Sequence, residues 1–321
     1  MFAHRIVEYE GPEAVEWREV EDPSDKGLVI IEVVAAGVSF ADLLQTRGAY
    51  QLRPQLPYSP GMDASGFVRS APPESGLEAG QRVGVLLRHG CWQEVVAAPV
   101  SQVLALPDDV AFEGAALGLN YLTALFALCT RARAERGETL LVHGAAGGVG
   151  TASIQIGRAL GLRTIAVVSD EGKCNFALAN GAHEAVTLEG WLAAVEAIAG
   201  KRAVDIVLDP VGGDRVRDSV RSLAPGGRLV VVGFADGGIP TVKLNRLLLG
   251  NSSVIGAASL EYFGLKPDAV GDLWAMLMRL RTGGSLLPPP VEVFPFVDAR
   301  GALRAIEGRT ARGKVVLRKD S

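Results

Sequence analysis

The stretch that decides the fold is Leu140-Leu141-Val142-His143-Gly144-Ala145-Ala146-Gly147-Gly148-Val149-Gly150. An apolar strand there gives way to a glycine-rich loop and a predicted helix over 150–160. In the dinucleotide fingerprint three small residues hold fixed positions, and Ala145, Gly147 and Gly150 fill them, with alanine replacing the first glycine. Gly147 would let the backbone approach a diphosphate, Gly150 would let the helix pack on the strand, and the helix-start amides of Gly148 and Val149 would face the phosphates. An ordinary glycine-rich turn is the alternative, but strand, loop, helix and next strand in order favour a nucleotide site.

The end of the next strand predicts which nucleotide binds. Enzymes selective for NAD usually place an Asp or Glu about 20 residues beyond the loop to bind the ribose hydroxyls. Val167-Val168-Ser169 stands at that point, so no carboxylate there repels a 2′-phosphate. Ser169 can donate a hydrogen bond and Lys173 supplies positive charge, which favours NADPH. The alternatives are that Asp170 or Glu171 faces the ribose, and that Lys173 is an exposed helix lysine.

Strands and helices alternate outward from the glycine loop. The pattern predicts strands at 139–143, 163–168, 204–208 and 228–232, and helices at 150–160 and 173–180. This order is typical of an α/β fold with a doubly wound parallel sheet of Rossmann type. Leu229 to Val232 is apolar throughout, as expected for a strand that helices cover on both faces.

The two ends of the chain have a different character. Short strands at 29–35, 67–69 and 82–87 indicate an irregular β-rich domain, and the apolar, proline-free run from Ala115 to Cys129 predicts a helix. After a strand at 254–258 the pattern loosens into a helix at 271–281 and a last strand at 314–318. We expect residues 1–118 to form a β-rich domain, 119–258 the dinucleotide-binding domain, and 259–321 a return to the first domain.

The composition excludes several classes of function. The 321 residues carry 32 Lys and Arg against 36 Asp and Glu, a net charge of −4, which leaves no basic excess to bind nucleic acid. No apolar run approaches the roughly 20 residues of a membrane span, and no signal-peptide core is present, so the expected compartment is the cytosol. Cys91, Cys129 and Cys174 are odd in number and far apart, which favours reduced thiols in a cytoplasmic setting.

Several further stretches carry a family resemblance. They are Ala35-Ala36-Gly37-Val38-Ser39-Phe40-Ala41-Asp42, Arg47-Gly48-Ala49-Tyr50, Pro60-Gly61-Met62-Asp63-Ala64-Ser65-Gly66 and Asp209-Pro210-Val211-Gly212-Gly213. Together with the glycine loop, they make the chain resemble, nearly end to end, the zinc-free quinone oxidoreductases of zeta-crystallin type in the medium-chain dehydrogenase/reductase superfamily. The resemblance implies a β-rich GroES-like catalytic domain built from both chain ends, a Rossmann domain between them, NADPH-dependent reduction of a quinone, and a homodimer.

Some positions depart from the family pattern. Ser39 stands where quinone reductases usually carry an asparagine near the nicotinamide, and Asp63 stands where glutamate is usual. Leu44 and Leu188 replace tyrosines of some relatives. Arg309 falls where a relative's phosphate-contacting arginine would align, and an exposed terminal arginine is the alternative. These departures leave the substrate preference open.

The residues present do not suit zinc. The first two ligand positions of the zinc alcohol dehydrogenases read Ser39 and Met62, and neither is a usual zinc ligand. A structural zinc lobe needs four closely spaced cysteines, whereas three scattered ones are present. The four histidines show no ligand spacing, and His143 is expected to be a packing residue. We therefore expect no metal site.

Without a metal, the protein must orient the acceptor and stabilise the charge that develops on its oxygen. Tyr50 is the first candidate for this role and Ser39 the second, with surface packing as the alternative for Tyr50. Asp42 is expected to fix the backbone or to pair with Arg47. Gly233-Phe234 follows a strand of the dinucleotide domain, where its backbone would hold the nicotinamide carboxamide or simply pack.

Three functions stay open on the sequence. NADPH-dependent reduction of a quinone leads, followed by reduction of the carbon–carbon double bond of an enone or enoyl thioester through the same hydride delivery. The third, from another class, is an NADPH-binding protein retained for a structural role, as the crystallin resemblance suggests. A zinc alcohol dehydrogenase is a distant fourth.

Overall fold

The alternation of strands and helices predicted around the glycine loop is present in the computed structural model, which describes residues 1–113 and 118–319. The chain divides into two units. The first comprises Met1–Leu119, Lys266–Asp272 and Pro289–Ser321, and the second comprises Asn120–Leu265 and Leu273–Pro288.

The first unit begins with short strands joined by turns. They are β1 (Phe2–Ile6), β2 (Val15–Glu19), β3 (Val29–Val38), β4 (Asp63–Ser70), β5 (Arg82–Leu86), β6 (Val95–Ala98) and β7 (Val103–Ala105), with helix α1 (Phe40–Thr46) after β3. β1 and β2 pair with each other, and β3 pairs antiparallel with both β4 and β6. The side chains of β3 are mostly buried, so this long β-branched strand forms the centre of the domain core.

The second unit holds the predicted α/β alternation. Its elements are α2 (Leu119–Leu125), β8 (Thr139–His143), α3 (Gly148–Ala159), β9 (Arg163–Val168), α4 (Glu171–Ala179), β10 (Glu184–Thr187), α5 (Trp191–Ala199), β11 (Val204–Asp209), α6 (Arg215–Ser222), β12 (Leu223–Val231), α7 (Leu244–Gly250), β13 (Ser253–Gly256) and α8 (Ser259–Leu265). The strands are parallel, in the order β10-β9-β8-β11-β12-β13. The prediction of a doubly wound Rossmann-type sheet is confirmed.

The C-terminal elements are α9 (Asp268–Thr282), β14 (Val291–Pro295), α10 (Ala299–Glu307) and β15 (Lys314–Arg318). β15 pairs antiparallel with β3, and β14 lies parallel on its other side. The first sheet therefore has the order β14-β15-β3-β4-β5-β7 and contains strands from both ends of the chain.

The helix predicted over 115–129 begins with α2 and continues as π-helical turns from Phe126 to Arg131. Residues 115–117 of that prediction lie outside the described part of the chain. The Phe126 ring packs on Tyr262 and Phe263 of α8, with ring centroids 4.8 and 5.7 Å apart. These contacts explain why α8 groups with the second unit, although the sequence pattern assigned 259–321 to the first domain.

The order of the parallel strands positions the candidate site. β8 lies between β9 and β11, so the chain leaves β8 toward one edge of the sheet and later returns to its other side. In open α/β sheets, ligands bind beyond the carboxyl ends of the strands at this switch point. The loops after β8 and β11 are therefore where a nucleotide site is expected.

Candidate nucleotide site and candidate acceptor residues

The glycine loop presents an open outer face. Gly147 is exposed and is the N-cap of α3, with φ −85° and ψ 175°, and no side chain caps the helix. A Cβ built on Gly147 would have Gly144 O, 3.4 Å away, as its nearest neighbour. The first amides of an α-helix lack intrahelical acceptors, so the N–H groups of Gly148, Val149 and Gly150 are available at its positive end. The loop thus fits a diphosphate, with space above Gly147 and helix-start donors beside it.

The inner face of the same loop is tightly packed. A Cβ on Gly150 would lie 2.2 Å from Gly144 O and 2.6 Å from Ala145 Cα, both backbone atoms. Only glycine at 150 allows α3 to lie this close to the loop. Ala145 is 1% exposed, so its methyl group points into the core, which explains why alanine is tolerated where the fingerprint has glycine. A Cβ on Gly148 would lie 2.1 Å from Asn120 Nδ2, a contact with α2 that the sequence did not predict.

The Asp209-Pro210-Val211-Gly212 loop after β11 lies against the glycine loop. A Cβ on Gly144, whose φ is +58°, would be 2.9 Å from Val211 Cγ2. Asp209 Oδ1 accepts hydrogen bonds from the amides of Val211 and Gly212 at 2.8 and 2.9 Å. Burial raises the pKa of the Asp209 carboxyl, and the two amide donors oppose that rise. Asp209 is therefore a turn-forming residue that fixes the loop packed against the glycine loop.

Ser169, Asp170 and Lys173 form a cluster at the end of β9. Asp170 is the N-cap of α4 and accepts from the Lys173 amide at 2.9 Å. The Ser169 hydroxyl donates to Asp170 Oδ2 at 2.8 Å, and Lys173 Nζ donates to Ser169 Oγ at 3.0 Å. The Lys173 side chain is 14% exposed. The alternative of a solvated helix lysine is therefore wrong, and the two residues predicted to bind a 2′-phosphate are in contact.

Gly233 and Phe234 follow β12, beside the loop after β11. A Cβ on Gly233 would meet Pro210 O at 3.2 Å, and a Cβ on Gly212 would meet the Phe234 ring at 2.9 Å. Both residues are half-buried. The structure thus brings them to the carboxyl edge of the sheet, with the Phe234 ring packed on the neighbouring loop.

Ser39 and Asp42 cap α1 in the first unit. The Ser39 amide and hydroxyl both donate to Asp42 Oδ2, at 2.8 and 2.6 Å, and the Asp42 amide donates back to Ser39 Oγ. Asp42 Oδ1 accepts from the Gly61 amide at 3.1 Å. Asp42 therefore fixes backbone, as predicted, while the alternative pairing with Arg47 is wrong because Arg47 pairs with Glu307.

Tyr50 and Arg309 also lie in the first unit. Tyr50 is half-buried in the segment between α1 and β4. Arg309 is exposed just after α10, with a φ of +54°. Their assigned roles, toward the acceptor and toward a phosphate, stay predictions.

Sequence reasoning missed a buried ion pair. Lys314 Nζ on β15 donates to both carboxylate oxygens of Asp63 on β4 at 2.9 Å, and the two side chains are 3% and 2% exposed. A Cβ on Gly37 of the intervening β3 would lie 2.1 Å from Asp63 Oδ1. The pair thus ties the last strand to the N-terminal sheet through a gap that glycine leaves open. The sequence signal that could have predicted this pair is Lys314, a lone lysine at the start of an apolar strand.

His143 has the packing role that the sequence assigned to it. Its Nε2 lies 2.8 Å from Ser219 Oγ, and its ring meets Trp191 edge-on with centroids 4.9 Å apart. Burial lowers the pKa of His143 to about 3, so the imidazole is neutral at physiological pH.

Within residues 1–113 and 118–319, no three or more His, Cys, Asp or Glu side chains are grouped so that they could hold a metal ion. None of the described helices has the length and apolar character that crossing a membrane requires.

Two family profiles match the chain. One, described as an alcohol dehydrogenase GroES-like domain, matches residues 25–108, and the other, described as a zinc-binding dehydrogenase, matches residues 148–275. The first match confirms that the β-rich unit is GroES-like, and the second covers most of the Rossmann sheet.

Individual relatives match over nearly the whole chain. The quinone oxidoreductase of Sus scrofa is 32% identical over 99% of this chain and 97% of its own length. The quinone oxidoreductase of Thermus thermophilus, whose structures include a complex with NADPH, is 35% identical with a TM-score of 0.83, covering 99% of this chain and all of that one. The enoyl reductase CurK is 26% identical with a TM-score of 0.89 over 99% of both chains.

These matches confirm the resemblance carried by the glycine loop and the N-terminal motifs. The chain is an oxidoreductase that belongs to the zinc-free quinone oxidoreductase-like branch of the medium-chain dehydrogenase/reductase superfamily.

Proposed function

We propose that this chain binds NADPH and uses it to reduce a quinone. The observation that carries the proposal is the donor set at the carboxyl edge of β8 and β9. The register pairs His143 of β8 with Val167 of β9, so these neighbouring strands end side by side, about 5 Å apart. The glycine loop follows the end of β8, and Ser169 follows the end of β9. A diphosphate over Gly147 and a 2′-phosphate beside Ser169 and Lys173 would be held from the same edge.

The chain's own residues supply binding and orientation. The amides that begin α3 hold the diphosphate, Lys173 and Ser169 hold the 2′-phosphate, and the backbone of Gly233 and Phe234 holds the carboxamide. When bound, the reduced nicotinamide supplies the hydride.

Tyr50 and Ser39 are proposed to act on the acceptor. Tyr50 orients it and donates a hydrogen bond to the oxygen that becomes negative during reduction. The Ser39 hydroxyl already donates to Asp42, so it must give up that hydrogen bond before it can donate to the substrate oxygen, which makes it the weaker candidate. A quinone suits such a site because its reduction product is a stabilised phenolate-like anion, which places little demand on a strong acid.

Reduction of the carbon–carbon double bond of an enone or enoyl thioester is the second candidate. The similarity to the enoyl reductase CurK favours it, since the fold is shared over almost the whole chain. Both reactions transfer a hydride from the nicotinamide, so they differ only in the compound that accepts it.

Steady-state assays with purified protein test the proposal. NADPH and NADH oxidation is measured against panels of quinones and enones, with a chelator present. We expect NADPH to be preferred, quinones to be reduced faster than enones, and the chelator to have no effect. NADPH binding without turnover of any acceptor would favour a purely structural role, and a strong NADH preference would refute the assignment of Ser169 and Lys173.

A homodimer is also proposed, with the outer edge of the Rossmann sheet as its interface. In the described sheet, β13 has β12 as its single neighbour and ends the strand order. On nearby α7, Leu244, Leu248 and Leu249 are 78%, 77% and 74% exposed, more apolar surface than an isolated soluble unit usually shows on one short helix. A second copy would cover these leucines and extend the sheet.

Light scattering during size-exclusion chromatography tests the assembly. We expect a dimer for the wild-type protein and a monomer for L244E/L248E. A monomeric wild-type protein would refute the proposed dimer. The cytosol stays the predicted compartment, which cell fractionation would test.

A further inference from the structure

We propose that Asp170 sets how strongly this site discriminates between NADPH and NADH, by competing with the 2′-phosphate for Lys173 and Ser169. The inference rests on the proposed function, because it concerns the same nucleotide. It differs from the usual role of a carboxylate at the end of this strand, which is to bind the ribose hydroxyls.

The hydrogen bonds of Asp170 are directed toward the protein. Oδ1 accepts from the Lys173 amide at 2.9 Å, which is the N-cap bond of α4. Oδ2 accepts from the Ser169 hydroxyl at 2.8 Å and lies 3.8 Å from Lys173 Nζ. The carboxylate is therefore used to cap the helix and to hold the two donors.

The same contacts make Asp170 a competitor. Ser169 and Lys173 are the two side chains proposed to hold the 2′-phosphate, and each already contacts Asp170. A phosphate that takes over these donors must displace the Ser169 hydrogen bond and approach a carboxylate of like charge. NADH carries no 2′-phosphate, so its affinity does not depend on this competition.

Solvent limits the size of the effect. The Asp170 side chain is 53% exposed and that of Lys173 is 14% exposed, so water and salt screen the carboxylate more than the ammonium. For like charges roughly 6 Å apart near a protein surface, Coulomb's law with partial screening gives an affinity penalty of about three- to tenfold. Removal of the Asp170 charge should therefore raise the affinity for NADPH by that factor and leave the affinity for NADH unchanged.

The test compares dissociation constants for NADPH and NADH in the full-length protein by fluorescence titration. The variants are D170N and D170S, in which an uncharged side chain still caps the helix, and the matched control is E171Q, which removes a neighbouring charge from the exposed first turn of α4. We expect both Asp170 variants to bind NADPH about three- to tenfold more tightly, with NADH affinity unchanged and the gain reduced at high salt. E171Q should give less than half of that gain.

Two results would overturn the inference. Weaker NADH binding by D170N would show that Asp170 holds the ribose hydroxyls, and an unchanged ratio of NADPH to NADH affinity would show that it does not compete. Failure of the proposed function has a different signature, because the wild-type protein would then bind neither nucleotide. Thermal melts confirm that each variant is folded.

Discussion

Two glycines at the start of α3, the N-cap Gly147 and Gly150 in the first turn, should respond to substitution in opposite ways. Gly147 faces outward with nothing closer than 3.4 Å to a built Cβ, whereas a Cβ on Gly150 would meet two backbone atoms within 2.6 Å. G147V should therefore impair nucleotide binding with little change in stability. G150A should destabilise the fold even though it adds a single methyl group.

The structure indicates how large the loss of NADPH affinity in G147V and the loss of stability in G150A should be. Gly147 has an extended backbone conformation that any residue can adopt, so valine there adds no strain. Its side chain would occupy the space assigned to the diphosphate, and we expect at least about a hundredfold loss of NADPH affinity, equivalent to about 2.7 kcal/mol. At Gly150 the overlapping atoms belong to the backbone and cannot rotate away. Overpacking typically costs about 1–3 kcal/mol, and overlap with backbone at 2.2 and 2.6 Å places Gly150 at the upper end of that range. Alanine recovers at most about 1 kcal/mol of helix propensity, so we expect a net loss of about 2 kcal/mol.

Thermal melts and NADPH titrations of both variants test this contrast. A loss of about 2 kcal/mol lowers the melting temperature by about 4–8 °C for a unit of this size. We expect that shift in G150A and less than about a quarter of it in G147V. A G147V protein that binds NADPH normally would refute the loop assignment. A G150A protein that melts like the wild type would refute the packing argument.

Two further predictions concern the buried charges of the first unit. Burial raises the pKa of Asp42 from 3.8 to about 6 despite the Ser39 hydrogen bonds and nearby Lys314, so the native state holds this proton more tightly than the unfolded chain. The stability that results is fully present below pH 3.8 and is lost as the pH rises through 6, a change of about 3 kcal/mol. The stability difference between wild type and D42N should therefore fall over that interval in urea titrations, and a pH-independent difference would contradict this assignment. For the buried pair, K314M should cost about 3–5 kcal/mol because it leaves Asp63 charged and uncompensated. D63N/K314M should recover about half of that loss, and a double variant no more stable than K314M would exclude the ion pair as the cause.

Local patterns predicted the bounds of several strands in both sheets well. The bounds predicted for β8, β9 and β15 agree with the structure at both ends. These strands are apolar runs that stop at glycine or polar residues, so both the burial and the end are encoded within a few positions. α3 and α4 each begin two residues earlier than predicted, and in both the added pair contains a glycine, which interrupts the apolar pattern.

Contacts between distant parts of the chain were not predictable in this way. Lys314 and Asp63 are 251 positions apart, and no local sequence pattern around either residue indicates its partner. The pairing depends on the register of β15 against β3, which places Val316 opposite Gly37 and leaves room for the two side chains. Register of this kind follows from the folded sheet and not from composition or periodicity.

The position of a carboxylate relative to the start of a helix indicates whether its role is structural or chemical, as Asp42 and Asp170 show. Asp42 stands three residues after Ser39, and Lys173 stands three residues after Asp170, so both acids fall at the start of a helix in the spacing of capping interactions. In each case the carboxylate bonds backbone amides within its own helix start, which accounts for its orientation before any ligand is considered. An acid near the end of the second Rossmann strand therefore predicts NAD only when it is free of such a capping role. At position 170 the cap is made, and we expect the acid to influence the choice between the two nucleotides through Ser169 and Lys173 beside it.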